Sequence, residues 1–348
     1  MKIYIRDDLY LTKNIYSKHK NFNVLSLGIV SYFPLNEEGP RQDESPIVLW
    51  EEALGAIGLD AVIDECFPKE KSEFLVYGSV YVPADKKNTS FTNVKVRVDQ
   101  ISKQINKSKD REFLDFGIIT NPLSFKSMQV LWTKAFGGDG FSSNKSGKGI
   151  GPVYSQKLNR EWHPLPNVEY FDHPMLSKSD TPVPASFAAI PIQDQRRMSL
   201  LGKVDKNWLA TQWPSLPLDT HPDFFQTAPK DQWFDTNLIG GEPIYILNMN
   251  ERFPHINTHI PKNRYRIFVE KSTSQGNNII ELKSWIETLV LLPSSLTGVL
   301  LHRCVLNLEG FDASDVASIT IAEESSDSDQ KPYEYYRAYF SDPELNAY

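Results

Sequence analysis

The chain has 348 residues, 40% hydrophobic and 23% charged, which suffices for a core of about two domains' size and excludes a disordered polymer. Its 37 basic and 44 acidic side chains leave a formal charge of −7, which argues against nucleic acid as a partner, because phosphate backbones select dense Lys and Arg. Two cysteines, Cys66 and Cys304, are too few for a disulfide-stapled secreted domain and form no C-x-x-C pair, so two reduced thiols are expected.

The N-terminal Met1–Asp8 meets charge before any apolar run develops, unlike the apolar core of a signal peptide. Asn23–Val30 reads as a strand ended by Pro34, and Phe74–Val82 as a second stopped by Pro83. Between them, Glu51–Ile57 has weak helical character, limited by Gly55 and Gly58. Thr92–Asp99 alternates Val with polar residues, as a half-buried strand does, and polar Ala84–Asn88 would join it to the preceding strand in a hairpin. The basic run Lys103, Lys107, Lys109 and Arg111 reads as a solvated edge.

The middle of the chain changes character. Of 23 prolines, 11 fall between residues 152 and 229, which excludes long regular elements there. Trp162, Trp208, Trp213 and Trp233 are nevertheless too many aromatics for a linker, so ordered, irregular chain packed over sheets is expected. One short helix is predicted from Asp205, as N-cap, through Trp213, with Pro214 ending it. Strands return at Pro243–Met249, Arg264–Glu270 and Gly298–Leu308, the last buried and carrying Arg303, while Ser284–Leu292 reads equally as strand or short helix. The apolar run Leu289–Leu301 is broken by Pro293, Ser294, Ser295 and Gly298 and falls short of the ~18 continuous apolar residues of a membrane helix, so no membrane insertion is expected. Glu323–Gln330 is acidic and precedes a Tyr-rich tail.

The fold class expected is mainly β: two antiparallel β-sandwich-like blocks joined by a Pro/aromatic-rich irregular segment with few short helices. The divisions are 1–135, 136–240 packed on the sheets, 241–322, and the tail 323–348.

Candidate chemistry is thin. Gly137–Gly140 and Gly147–Gly151 are Gly-rich, but Pro152 follows, no helix period appears, and the Lys-Ser/Thr of a nucleotide loop is missing, so no cofactor is expected. His255 and His259 share a face at a spacing of four, yet lie between Pro254 and Pro261 without the Glu of a zinc protease. Asp219, His221, Asp223 and Asp231 suggest an acid–base site, against which stands the habit of Asp beside Pro to make turn hydrogen bonds. No G-x-S-x-G elbow exists. A hydrolase or metal enzyme remains the alternative reading, and a protein that binds another protein the leading one.

Several short signatures carry a resemblance. They are Phe74–Pro83; Trp132–Gly138, which contains A-F-G-G; Leu165–Asn167; and Phe187–Pro191 followed by Arg197, Leu201–Gly202 and Asp205–Trp208. Trp213–Pro217, Phe224–Gln232 and Leu238–Pro243 continue the order, and His302-Arg303 stands where an aromatic-Arg pair is frequent. Together they resemble the bacterial type VI secretion accessory proteins of domain-of-unknown-function family 2169, across about residues 20 to 310. The resemblance implies a cytoplasmic adaptor or chaperone that binds a PAAR-like spike-tip or toxin protein and aids its loading onto a VgrG spike. A structural component of the delivered spike is an alternative role. Partner-binding residues suggested by the motif match are Trp132, Phe136, Gly137, Gly138, Trp208, Trp213, Phe224 and Phe225. For the aromatics core packing is also expected, and for the glycines backbone angles forbidden to other residues.

Overall fold

A computed structural model describes residues 2–5, 9–19, 22–39, 68–83, 89–274, 276–308 and 313–324. The stretch Glu51–Ile57, Cys66, the connection Ala84–Asn88 and the tail beyond Glu324 lie outside the described residues. With 44% strand against 9% helix, the fold is mainly β.

In chain order the first strands are β1 (Lys2–Tyr4), β2 (Tyr10–His19), β3 (Phe22–Pro34), β4 (Glu73–Val76), β5 (Ser79–Tyr81), β6 (Phe91–Val98) and β7 (Ile101–Ser108). Short strands follow: β8 (Glu112–Phe113), β9 (Ser127–Gln129), β10 (Phe136–Gly137), β11 (Lys148–Gly149), β12 (Val153–Ser155), β13 (Arg160–Pro164) and β14 (Val168–Tyr170). Helices α1 (Gln195–Met198) and α2 (Lys206–Thr211) precede β15 (Pro243–Leu247), β16 (His255–His259) and β17 (Arg264–Thr273). The last strands are β18 (Gly276–Lys283), β19 (Trp285–Leu292), β20 (Thr297–Asn307) and β21 (Val316–Glu324).

Three sheets dominate. A central sheet runs β2-β3-β20-β19-β4, a second β1-β21-β17-β18, and a third β14-β7-β6-β15-β16. The central sheet is buried on both faces. Leu25, Leu27, Ile29, Cys304 and Leu306 pack toward Tyr265, Ile267, Val269, Ile319 and Ile321 of the second sheet. Val30, Leu75, Leu289, Leu291 and Val299 join Val94, Val96, Ile105, Ile244 and Ile246 of the third in the larger cluster. A strand covered on two sides must be apolar at successive positions, which is why Trp285–Leu292 lacks a clean alternation; it is a strand, not a helix.

Strands from 1–135 and 241–322 stand side by side in all three sheets and interleave in the central one, so the two strand-rich stretches build shared layers rather than one sandwich each. Two further local expectations change. Phe74–Val82 breaks at Tyr77–Gly78: β4 pairs in parallel with β19, while β5 leaves to pair with β9. The hairpin partner of β6 is accordingly β7, not β5, closed by the two-residue turn Asp99-Gln100 with Asp99 at φ 52°.

The basic run on β7 is not a solvated edge. Lys103, Lys107 and Arg111 are buried. Lys103 Nζ donates to Asp231 Oδ1 (3.0 Å) and Gln232 Oε1 (2.8 Å), and Lys107 Nζ to the Gln129 carbonyl (2.7 Å). Arg111 donates to the Pro166 carbonyl and to Glu169. Desolvation pushes Lys103 down to about 8 and Lys107 to about 7, the latter helped by neighbouring Lys134 and Lys148.

Candidate functional site

The signature residues divide into two groups, and the division follows from what each side chain can reach. The Trp132–Gly138 block is a closed knot. Trp132 Nε1 donates to the carbonyls of Ala188 and Ala189 at 3.2 and 2.8 Å, and the Arg196 guanidinium lies 4.3 Å from its ring centre. Phe136 is buried with Phe113, Leu165 and Met175. The Asn144 side-chain amide donates to the Trp132 and Phe136 carbonyls, drawing the following loop against β10. Gly137, at φ 153°, would place a Cβ 2.0 Å from the Asn144 carbonyl oxygen, so only glycine fits. Gly138 is half-buried beside Ile150.

The Phe224–Gln232 block is a clasp. Its anchor is Glu73, a fully buried carboxylate at the start of β4. Glu73 accepts from the backbone N–H groups of Thr227 (3.0 Å) and Ala228 (3.1 Å), the Gln226 amide (2.9 Å), the Thr227 hydroxyl (2.5 Å) and Lys69 Nζ (2.6 Å). That many donors offset the desolvation of one carboxylate and fix the block on the central sheet. Gln232 adds hydrogen bonds to the carbonyls of Phe74 and Phe187. Glu287 accepts the Lys69 N–H (2.6 Å) and pairs with fully buried Arg303, which also reaches Ser26 on β3. One polar chain therefore links β3, β20, β19 and β4 to the irregular segment.

Between these blocks, residues 195–221 leave the core and return. Arg197 is the root: its buried guanidinium donates to the carbonyls of Ile190 (3.2 Å) and Phe224 (2.9 Å), tying both ends of the excursion together. Phe224 is buried and in edge contact with half-buried Phe225. The predicted helix is α2; Asp205 caps it by accepting the Trp208 N–H at 2.9 Å. Trp208 Nε1 donates to the Ser215 carbonyl (3.0 Å) and its ring meets Trp213 edge-on, centres 5.5 Å apart. Thr220 Oγ1 donates to the Leu201 carbonyl (2.6 Å), and Asp219 accepts the Lys203 N–H (3.1 Å).

With its polar groups satisfied internally, this excursion turns apolar side chains outward. Trp213 is 64% exposed, and Met198, Val204, Leu209 and Leu218 are exposed with it. Of the eight motif residues, Trp132, Phe136, Gly137 and Phe224 are buried; Gly138, Trp208 and Phe225 are half-buried; Trp213 faces outward. Sequence reasoning missed Val204, Leu209 and Leu218 as surface residues. The available signal was Asp205 as N-cap of a helix with no apolar stripe, which leaves Leu209 no core to face.

Of the residues of the alternative reading only His221 and Asp223 come together, with Nδ1 and Oδ2 3.8 Å apart, and both are accounted for by the local turn. His221 Nδ1 accepts the Asp223 N–H (3.1 Å) at the start of a 3-10 turn, and Asp219 caps Lys203. Asp231 is held elsewhere by Lys103 and the Tyr170 hydroxyl. His255 and His259 are exposed on β16, where the Tyr245 hydroxyl lies 3.2 Å from His255 Nδ1. Among the described residues no group of three His, Cys, Asp or Glu side chains is placed to hold a metal ion.

A family model described as "Uncharacterized protein conserved in bacteria (DUF2169)" matches residues 21–303. The chain belongs to this family. The match begins just before β3 and ends at Arg303, so it spans the clasp, the knot and the 195–221 excursion, and the motifs singled out from the sequence sit in three structural settings rather than one site. No curated protein and no solved structure was found to match the chain. No described helix is long and apolar enough to cross a membrane.

Proposed function

We propose that this bacterial protein is an adaptor or chaperone that holds another protein, and that its client is a PAAR-like spike-tip or toxin protein loaded in the cytoplasm onto a VgrG spike of a type VI secretion system. One observation carries the reading. Val204, Leu209, Trp213 and Leu218 are exposed together on a segment whose backbone is fixed by Arg197, Asp205, Trp208 and Thr220. Exposed apolar side chains on a rigid frame suit a protein interface, because docking then orders little additional chain. The client's chemistry follows from the resemblance: a β-rich spike protein has strand edges and apolar faces that need cover before assembly.

The decisive experiment deletes the gene and measures the neighbouring PAAR-like protein in cells and culture medium. Lower cellular abundance and lost secretion support the reading; unchanged values for both overturn it. Recovery of this chain itself from the medium, in step with the spike, would instead assign it to the delivered structure.

A further inference from the structure

A cleft of about 570 Å³ opens where β18 ends and the chain crosses to β19. Its wall carries three cations, Arg264, Arg266 and Lys283, against one carboxylate, Glu281. Arg266 and Glu281 neutralise each other through two hydrogen bonds of 2.7 and 3.0 Å. The Arg264 and Lys283 side chains are exposed and make no hydrogen bond among the described residues, and Glu281, which Lys283 also attracts, is held by Arg266, so the cleft presents net positive charge in a chain of formal charge −7. The floor holds Trp285 and His302, whose ring nitrogens Nε1 and Nε2 are buried and without a hydrogen-bond partner among the described residues. Here two of the six such buried side-chain atoms among the described residues lie in one cleft.

The cleft adjoins a sheet edge that no described strand covers. β18 pairs with β17 over eight residues, from Arg266 with Lys283 to Thr273 with Gly276, and no other described strand lies beyond it. About half of its backbone N–H and C=O groups therefore point away from β17. Native sheets usually blunt such an edge with proline, a bulge, brevity or charge, and β18 carries charge only at its cleft end, in Glu281 and Lys283. β16, an edge strand of the third sheet, has five residues and lies between Pro254 and Pro261. β18 has eight residues, no proline and an unbroken register.

We infer that β18 and the adjoining cleft form a binding site for an extended acidic peptide segment of a partner protein, which adds as a strand to the β18 edge and sets a carboxylate between Arg264 and Lys283. Main-chain pairing supplies the attachment and the cationic rim supplies the selection. The site is separate from the 195–221 surface, so a partner held there alone leaves this inference untouched.

The test uses the full chain and a fluorescein-labelled octapeptide alternating Glu and Val, with a Lys–Val peptide and an alternately N-methylated Glu–Val peptide as controls, followed by anisotropy. The Glu–Val peptide binds; charge reversal in the Lys–Val peptide and loss of backbone donors in the methylated one each weaken binding by about tenfold or more. The double variant Arg264→Glu/Lys283→Glu, exposed at both positions, keeps its Tm and loses the Glu–Val peptide to the same degree. Equal binding of all three peptides, no binding by any, or a double variant of unchanged affinity overturns the proposal. Binding that appears only after Asp327→Lys/Asp329→Lys also overturns it, because the chain's own acidic stretch is then the occupant.

Discussion

Trp132 and Trp213 both stand in aromatic-rich signature blocks, and the fold uses them in opposite ways. The Trp132 indole is enclosed by the Ala188 and Ala189 carbonyls and covered by Arg196, and its block contains a glycine that no other residue can replace. Trp213 rests one edge on Trp208 and gives the rest of its ring to solvent. An aromatic-rich motif thus does not by itself say whether its residues serve the core or the surface. Burial and hydrogen bonding decide which, and changes in the two regions should separate accordingly: stability on one side, client binding on the other.

The largest loss is expected deep on the fold side. Arg303→Met leaves Glu287 as a buried carboxylate stripped of its cation, a cost of about 3–5 kcal/mol. The double variant Arg303→Met/Glu287→Met should recover most of it, since two apolar groups then replace a desolvated pair. Urea unfolding of the native chain and these two variants measures this; a single variant as stable as the double would remove the pair from the account. Gly137→Ala comes next, at about 3 kcal/mol, because strain at φ 153° adds to collision with the Asn144 carbonyl. Thermal unfolding reads it directly, and a lossless substitution would reopen the knot as a surface feature.

Acid provides a third probe. Burial lowers His302 to about 3, far below the ordinary value of 6.5. Between those values the unfolded chain binds the proton and the folded chain does not, so the stability this site contributes is full above pH 6.5 and declines as pH falls toward 3. At pH 5 the loss from this one group is about 2 kcal/mol. His302→Phe preserves the edge contact with Tyr265, 4.8 Å between ring centres, and should flatten stability over that range. Identical pH profiles for the two proteins, followed by urea unfolding, would contradict it.

The strand-rich character was legible because stretches such as Thr92–Asp99 and Arg264–Glu270 alternate with period two, and the capped helix because Asp205 and Pro214 are local signals. Lys103, Lys107 and Arg111 were misread although the signal was present. Lys103, Ile105 and Lys107 alternate with the opposite face of a strand, and a long basic side chain can be buried once a carboxylate or carbonyl meets its tip. What composition cannot reveal is that partner, which for Lys103 lies 128 residues downstream. The same distance hid the Glu73 clasp, whose donors come from Thr227 and Ala228. It also hid the interleaving of early and late strands, since pairing such as β3 with β20 is a fact of topology and not of either segment.

The smallest expected change in stability is the one that sharpens the comparison most. Leu209→Ser/Trp213→Ser alters two side chains that are mostly in solvent and contribute no backbone support: the α2 cap is Asp205, and Trp208, not Trp213, donates to the Ser215 carbonyl. Losing the edge contact of Trp213 with Trp208 should shift unfolding by about 1 kcal/mol. Paired apolar anchors at the centre of an interface each cost about 2 kcal/mol or more when truncated, so co-purification of the proposed client should fall by well over tenfold. Asp205→Ala is the control on the frame, since losing the cap costs about 1 kcal/mol without removing any outward-facing side chain. A surface pair that binds its client normally, beside a cap variant that does not, would move the contact from these side chains to the backbone geometry they ride on.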